Sequence, residues 1–278
     1  MNTMLVRILT GAAFGIILLG AILYGHTSFA ALFTLVSMLA VNEMSNLIHE
    51  YKKTTFSTLI AVIGGGYLFF TMYATTHLGI TNYTALFAPY LLLMVYTFVR
   101  ELYKKADSPL DNMAYFALSQ LYAALPFALL NILTTFGPGA YNYIMPLSIF
   151  IFLWCSDSGA YFVGSAIGRH RLFERISPKK SWEGSIGGGV LALVAAYVLS
   201  LFYPTLGAIE WMGMAAVVVV TGTWGDLIES CMKREMGIKD SGNILPGHGG
   251  ILDRFDSAIL AIPSVVVYLY ILGAYNIL

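Results

Sequence analysis

Apolar runs long enough to cross a bilayer recur from one end of this 278-residue chain to the other. That recurrence leaves few folds open. In lipid every backbone N–H and C=O must find a partner within the protein, so only helices and closed barrels span. The runs are continuous rather than alternating, and each approaches the roughly 20 residues that a spanning helix needs. Hydrophobic residues make up 58% of the chain, against about 45–50% in a soluble domain. Nine spans are expected, near 4–24, 28–48, 56–76, 82–102, 113–134, 141–167, 185–203, 209–231 and 257–278. A tenth would require splitting the sixth at Pro146. The run Ile8 to Tyr24 could pass for a signal peptide, but no small-residue cleavage site ends it, so it reads as a retained helix. The expected fold is all-α: a polytopic integral membrane protein with about nine transmembrane helices in one domain, 1–278.

Charge orders these spans. The joints Gly25–Thr27, His77–Thr81, Thr135–Gly139 and Tyr203–Ala208 contain no lysine or arginine. All 15 lysines and arginines fall at the N-terminus or at the alternate joints, hence on one side of a nine-span chain. The positive-inside rule then puts the N-terminus and charged loops in the cytoplasm and the C-terminus outside a plasma (inner) membrane. Net charge is zero, so nothing overall suggests nucleic acid. Cys155 and Cys231 sit in or beside apolar segments and imply no disulfide framework. Residues 1–140 carry few polar marks and read as scaffold; 141–278 carry the unusual chemistry. The Gly187–Gly189 run reads as a close-packing helix surface.

The densest polar stretch runs from Ser230 to Asp256, between two apolar segments, and holds four cations, four acids, a histidine and a run of glycines. Asp253 and Asp256 are three apart at the expected start of the last helix, on one face. On residue types alone, helix capping with a salt bridge to Arg254 explains them as well as a ligand role does. Asp226, Glu229 and Lys233 form a stripe on the preceding span, with Asp226 roughly 10 Å deeper than Lys233. A carboxylate at that depth needs water, a partner or a metal. Asp157, in Ser156-Asp157-Ser158-Gly159-Ala160-Tyr161, repeats the theme. Glu43 on the second span is expected to pair with a lysine. Lys179 and Lys180, in Ser177-Pro-Lys-Lys-Ser181-Trp-Glu-Gly184, read by composition as topology signals or contacts to anionic lipid. His248 stands among glycines, where backbone N–H groups can approach phosphate, and it has no second His or Cys nearby for a zinc set.

The stretch from Ser230 to Asp256 also resembles the signature of the CDP-diacylglycerol synthases (phosphatidate cytidylyltransferases). That signature is Ser-x-aliphatic-Lys-Arg, four free positions, Lys-Asp-x-small, then His-Gly-Gly-aliphatic-x-Asp-Arg-x-Asp, and the chain reads through it without a mismatch. The Ser-Asp element at Ser156 and the Ser-Pro-Lys-Lys element at Ser177 resemble the same family in order and spacing. The resemblance implies attack of the phosphatidic acid phosphate on the α-phosphorus of CTP, giving CDP-diacylglycerol and pyrophosphate. Asp226, Asp253 and Asp256 would bind one or two Mg²⁺ ions, with Mn²⁺ as a substitute, since hard carboxylates select such cations. Asp226, Asp253, Asp256 and Lys233 are the expected catalytic residues. Ser156, Asp157, Lys179, Lys180, Ser181, Arg234, Lys239, Asp240, His248 and Arg254 are expected at the substrates. CTP, phosphatidic acid, membrane lipids and a second copy in a homodimer are the implied partners. Two other readings compete: a CTP-dependent polyprenol kinase, which would have to deprotonate an alcohol, and an ion-coupled transporter using Asp157 and Asp226, for which no internal repeat is seen.

Overall fold

The structure is a computed structural model that describes residues 3–273 apart from 138, 246 and 248, with backbone alone for 3–8. The expectations for His248 and for the C-terminal residue lie outside the described residues. The helices are α1 (Thr3–Tyr24), α2 (His26–Lys52), α3 (Thr58–His77), α4 (Tyr83–Tyr103), α5 (Pro109–Leu118), α6 (Leu125–Thr134), α7 (Ile144–Ile167), α8 (Trp182–Phe202), α9 (Ala208–Glu235) and α10 (Leu252–Ile271). Among the described residues, eight helical segments are long and apolar enough to cross a membrane, α5 and α6 counting together, and Leu9–Tyr24 adds a shorter apolar helix. The architecture is the expected all-α polytopic one. Pro146 falls in the first turn of α7, where a missing N–H costs no hydrogen bond, so the sixth span stays whole.

Two features depart from uninterrupted spans joined by loops. The fifth span is continuous, but Ser119–Ala124 forms a wide π turn between α5 and α6. Pro126 follows as the second residue of α6. Its ring has no N–H to give the preceding turn and crowds the carbonyl there, and a π bulge relieves both. The loop after α7 contains a small antiparallel hairpin, β1 (Arg171–Phe173) against β2 (Ser177–Ser181), paired Arg171 to Ser181 and Phe173 to Ser177.

The chain divides into two compact units: residues 1–135 with 240–254, and residues 136–239 with 255–278. In the first unit, rings of α2, α3 and α6 pack at tilted angles in its interior. Phe29 lies 4.7 Å from Phe33 and 6.4 Å from Phe69, and Phe33 lies 6.5 Å from Phe127. Gly65 lets α3 close on Val41 and Ala124; a Cβ there would come within 2.9 Å of Val41. In the second unit, buried Trp211 meets Phe152 edge to face at 6.3 Å and donates its indole N–H to the Tyr203 carbonyl at 3.1 Å. In lipid, apolar area alone does not drive helices together, so this close packing and these hydrogen bonds do the work.

The tightest helix pair is α7 with α8. A Cβ on Gly159 would lie 2.8 Å from the Gly188 Cα, and one on Gly184 2.9 Å from the Ala160 carbonyl oxygen. A Cβ on Gly188 would collide with the Ser156 carbonyl, and one on Gly187 with Val163. The glycine run is therefore the packing surface its composition suggested, except at Gly189, whose nearest neighbour is Val219 at 3.7 Å. Gly188→Ala should cost about 1–3 kcal/mol, because the obstacle is backbone that cannot rotate away. Gly189→Ala should cost little. Paired thermal unfolding in detergent checks this; equal midpoints for the two variants would contradict the packing account.

Candidate active site

The site in the second unit begins at the hairpin. Ser181 ends β2 and caps α8, its Oγ accepting the Gly184 N–H at 3.2 Å. Glu183, in the first turn of α8, accepts the backbone N–H of Arg169 at 3.1 Å and of His170 at 3.2 Å, and contacts the His170 Nδ1 at 2.6 Å. Trp182 closes the ring by donating its N–H to the His170 carbonyl at 2.9 Å. These bonds pin the base of the hairpin to the helix end, so β2 is held despite its two lysines and proline.

A cavity of about 360 Å³ opens beside it, lined by Ser156, Asp157 and Tyr161 of α7, Lys179, Lys180 and Ser181 of β2, Ser185 of α8 and Thr223 of α9, among others. Five residues that the sequence marked in two distant elements, Ser156, Asp157, Lys179, Lys180 and Ser181, thus share one wall. The close approach of α7 and α8 at their glycines brings them there. Tyr161, Ser185 and Thr223 were not singled out; Tyr161 stood in the Ser-Asp element without an assigned role.

Behind the wall stand the acids of α9 and α10. Lys180 forms an ion pair with Asp226, whose other oxygen accepts the Ser230 hydroxyl at 3.1 Å. Asp157 lies within electrostatic reach of both Lys180 and Asp226. Gly225 permits the next contact: a Cβ there would lie 2.5 Å from the Asp256 carbonyl oxygen, so α9 and α10 touch through backbone at this level. Asp256 accordingly feels the charges of Asp226, Lys233 and Lys180. Lys233 is oriented from its own helix by buried Glu229, with Nζ 3.0 Å from the carboxylate.

The other expected residues are placed differently. Arg234 is exposed and donates to the Ile238 carbonyl at 3.2 Å, finishing its own helix. Lys239, Asp240 and Arg254 are exposed. Asp253 belongs to the first unit, where one oxygen accepts the N–H of Ser241 and of Gly250, each at 2.8 Å. Glu43 corrects an expectation. Among the described residues it pairs with no lysine; its buried carboxylate accepts the Ser241 hydroxyl, the Ile251 N–H at 2.8 Å and the Leu252 N–H at 3.2 Å.

The profile of the cytidylyltransferase family matches residues 5–272. The chain belongs to that family. It is 35% identical over 279 residues to a protein named phosphatidate cytidylyltransferase from Bacillus subtilis (strain 168), covering 96% of this chain and 97% of that one. It is 32% identical over 268 residues to proteins of the same name from Staphylococcus aureus (strain COL) and Staphylococcus haemolyticus (strain JCSC1435), covering 96% of this chain and 99% of each.

A cytidylyltransferase must handle several phosphate charges, and a divalent cation is the usual aid. Among the described residues no group of three or more His, Cys, Asp and Glu side chains lies together in a way that could hold a metal ion. The pair Asp226 and Asp256 still suits Mg²⁺, which commonly takes only one or two protein carboxylates and completes its shell with water and substrate phosphate. Both are hard oxygen donors whose charges oppose each other, and each Asp226 oxygen retains a lone pair after its bond to Lys180 or Ser230.

Proposed function

We propose that this protein makes CDP-diacylglycerol and pyrophosphate from CTP and phosphatidic acid at the cytoplasmic face of the membrane, as a phosphatidate cytidylyltransferase that pairs as a homodimer. The observation that carries the reading is the cavity wall on which Lys179 and Lys180 meet the Ser156–Asp157 element, with Asp226 and Asp256 behind it. The names of the relatives support the same substrates, and the alternation of charged and uncharged joints supports the orientation.

The chemistry asked of these side chains is positioning and charge stabilisation. A phosphatidate oxygen forms a bond to the α-phosphorus of CTP, the bond from that phosphorus to the bridging oxygen of the β-phosphate breaks, and pyrophosphate leaves with the bond's electron pair. A phosphomonoester is mostly ionised near neutral pH, with a second pKa of about 6, so no strong base is required. Lys179 and Lys180 reach the phosphate oxygens from the hairpin, and the Ser156 and Ser181 hydroxyls are available as donors beside them. Asp226 keeps Lys180 aimed, and Glu229 keeps Lys233 aimed. Asp226 and Asp256 are the residues that would hold Mg²⁺, which when bound neutralises phosphate charge. The carboxylates need no proton from the nucleophile, in contrast to a polyprenol kinase, whose alcohol must lose one.

Purified protein in detergent, given CTP with phosphatidic acid, should release pyrophosphate and CDP-diacylglycerol in equal amounts, and only with Mg²⁺ or Mn²⁺ present. Polyprenol in place of phosphatidic acid should yield nothing. Phosphorylated polyprenol as the product, or no turnover with phosphatidic acid, would overturn the assignment.

A further inference from the structure

We propose that Glu43 is a positioning residue for the transfer reaction, holding the signature loop Asp240–Arg254 closed by gripping both of its ends with one carboxylate. The proposal rests on the functional reading above, because the loop runs directly into α10, and α10 carries Asp256, which that reading assigns to Mg²⁺.

The argument starts from depth. Glu43 lies nine residues inside Lys52 on α2, hence roughly 13 Å further along the helix. A buried carboxylate on a membrane-spanning helix requires a partner that offsets its desolvation. Among the described residues no lysine or arginine pairs with it. Its partners are the Ser241 hydroxyl at one end of the loop and the backbone N–H groups of Ile251 and Leu252 at the other. The second pair lies at the start of α10, where N–H groups have no partner within the helix and the partial charge is positive. The residue before α10 is Ile251, whose side chain cannot accept a hydrogen bond. Glu43 therefore caps α10 from another helix.

The loop's glycines fit this role. A Cβ on Gly242 would come within 3.0 Å of the Glu43 carboxylate, and one on Gly250 would occupy the carboxylate's own space. Gly250 therefore has to be glycine for the sake of Glu43, independently of any phosphate contact. Asp253 ties the same two ends from inside the loop, through the N–H groups of Ser241 and Gly250. Glu43 adds what Asp253 cannot: an attachment of the closed loop to the helices of the first unit.

A spin label placed at exposed Asn243, in a background lacking Cys155 and Cys231, reads loop mobility without substrate. Turnover, Michaelis constants and thermal unfolding are measured beside it. Glu43→Gln keeps the shape but replaces one accepting oxygen with an amide NH₂, which can only donate and so opposes a backbone donor. It should mobilise the label and lower kcat per folded molecule by about 10²-fold, the scale of loss when a catalytic segment is slightly misplaced. Ser241→Ala cuts one attachment from the loop side and should move both readouts in the same direction but less, even if Glu43→Gln folds poorly. The double variant should be no worse than Glu43→Gln, since both break one linkage. A label as immobile in both variants as in the parent, or unchanged kcat per folded molecule, would overturn the proposal. Absence of turnover in the parent protein instead defeats the functional reading, and the two failures are told apart because the label needs no substrate.

Discussion

Asp256→Asn should leave the protein at least as stable as the parent in the absence of divalent cation, while lowering turnover by orders of magnitude. The two expectations have one cause. Asp256 feels the charge of Asp226 where α9 and α10 touch through backbone at Gly225, and their like charges raise the free energy of the folded state when nothing offsets them. An amide at 256 keeps the volume, removes the repulsion and leaves Lys180 paired with Asp226. If the pair exists to hold Mg²⁺, the parent's unfolding midpoint should rise with Mg²⁺ by ligand linkage and the variant's should not. Asp226→Asn should behave differently in stability, because it also removes the charge partner of Lys180. It should fall in both stability and turnover. Thermal unfolding and turnover against Mg²⁺ concentration, run on parent and both variants, separate these outcomes. Near-normal turnover in both asparagine variants would remove the carboxylate pair from the reaction.

The membrane architecture was legible in the sequence because it depends on run length alone: each apolar run corresponds to a helix, with ends displaced by a few residues. The depth of Asp226 was legible for the same reason, since helix rise converts sequence distance into position. The hairpin Arg171–Ser181 was not. Its strands are short, β2 is polar, Pro178 argues against a strand, and its stability comes from Glu183 gathering the Arg169 and His170 N–H groups. The partners of Glu43 are hidden from the sequence for a related reason. Its partner Ser241 is 198 residues away along the chain, and its remaining donors are backbone N–H groups, which leave no trace in residue identity. Sequence patterning suggests that an intramembrane carboxylate seeks a cation; the fold supplied a helix N-terminus instead. Asp253 shows the limit of grouping by spacing. It shares a predicted helix face with Asp256, yet one of its oxygens is engaged by Ser241 and Gly250 in the loop.

Lys180→Ala should reduce turnover by about 10²–10³-fold, the range found when one preorganised donor to a developing charge is removed. Lys180 lies on the cavity wall and pairs with Asp226, and its charge reaches Asp157 and Asp256 as well. Its removal strips a group of three carboxylates of a shared counter-charge and takes a donor from the phosphates. Lys180→Arg tests whether charge alone suffices. Arginine is a planar fork with fixed donor directions, whereas an ammonium on a flexible stem can serve a carboxylate and a phosphate from one point. In a cavity of about 360 Å³ the larger group should not reproduce both contacts, so Lys180→Arg should recover little of the lost kcat. Lys179 is exposed on the same wall. Lys179→Arg should chiefly raise the Michaelis constant for CTP and leave kcat less affected, the pattern of a contact made equally in ground and transition states. Steady-state kinetics with both substrates varied, on the two single arginine variants and the double, distinguish these roles. If the double arginine variant turned over like the parent, the lysines would be no more than charges that fix the orientation of the helices in the membrane, and the hairpin would have no part in the reaction.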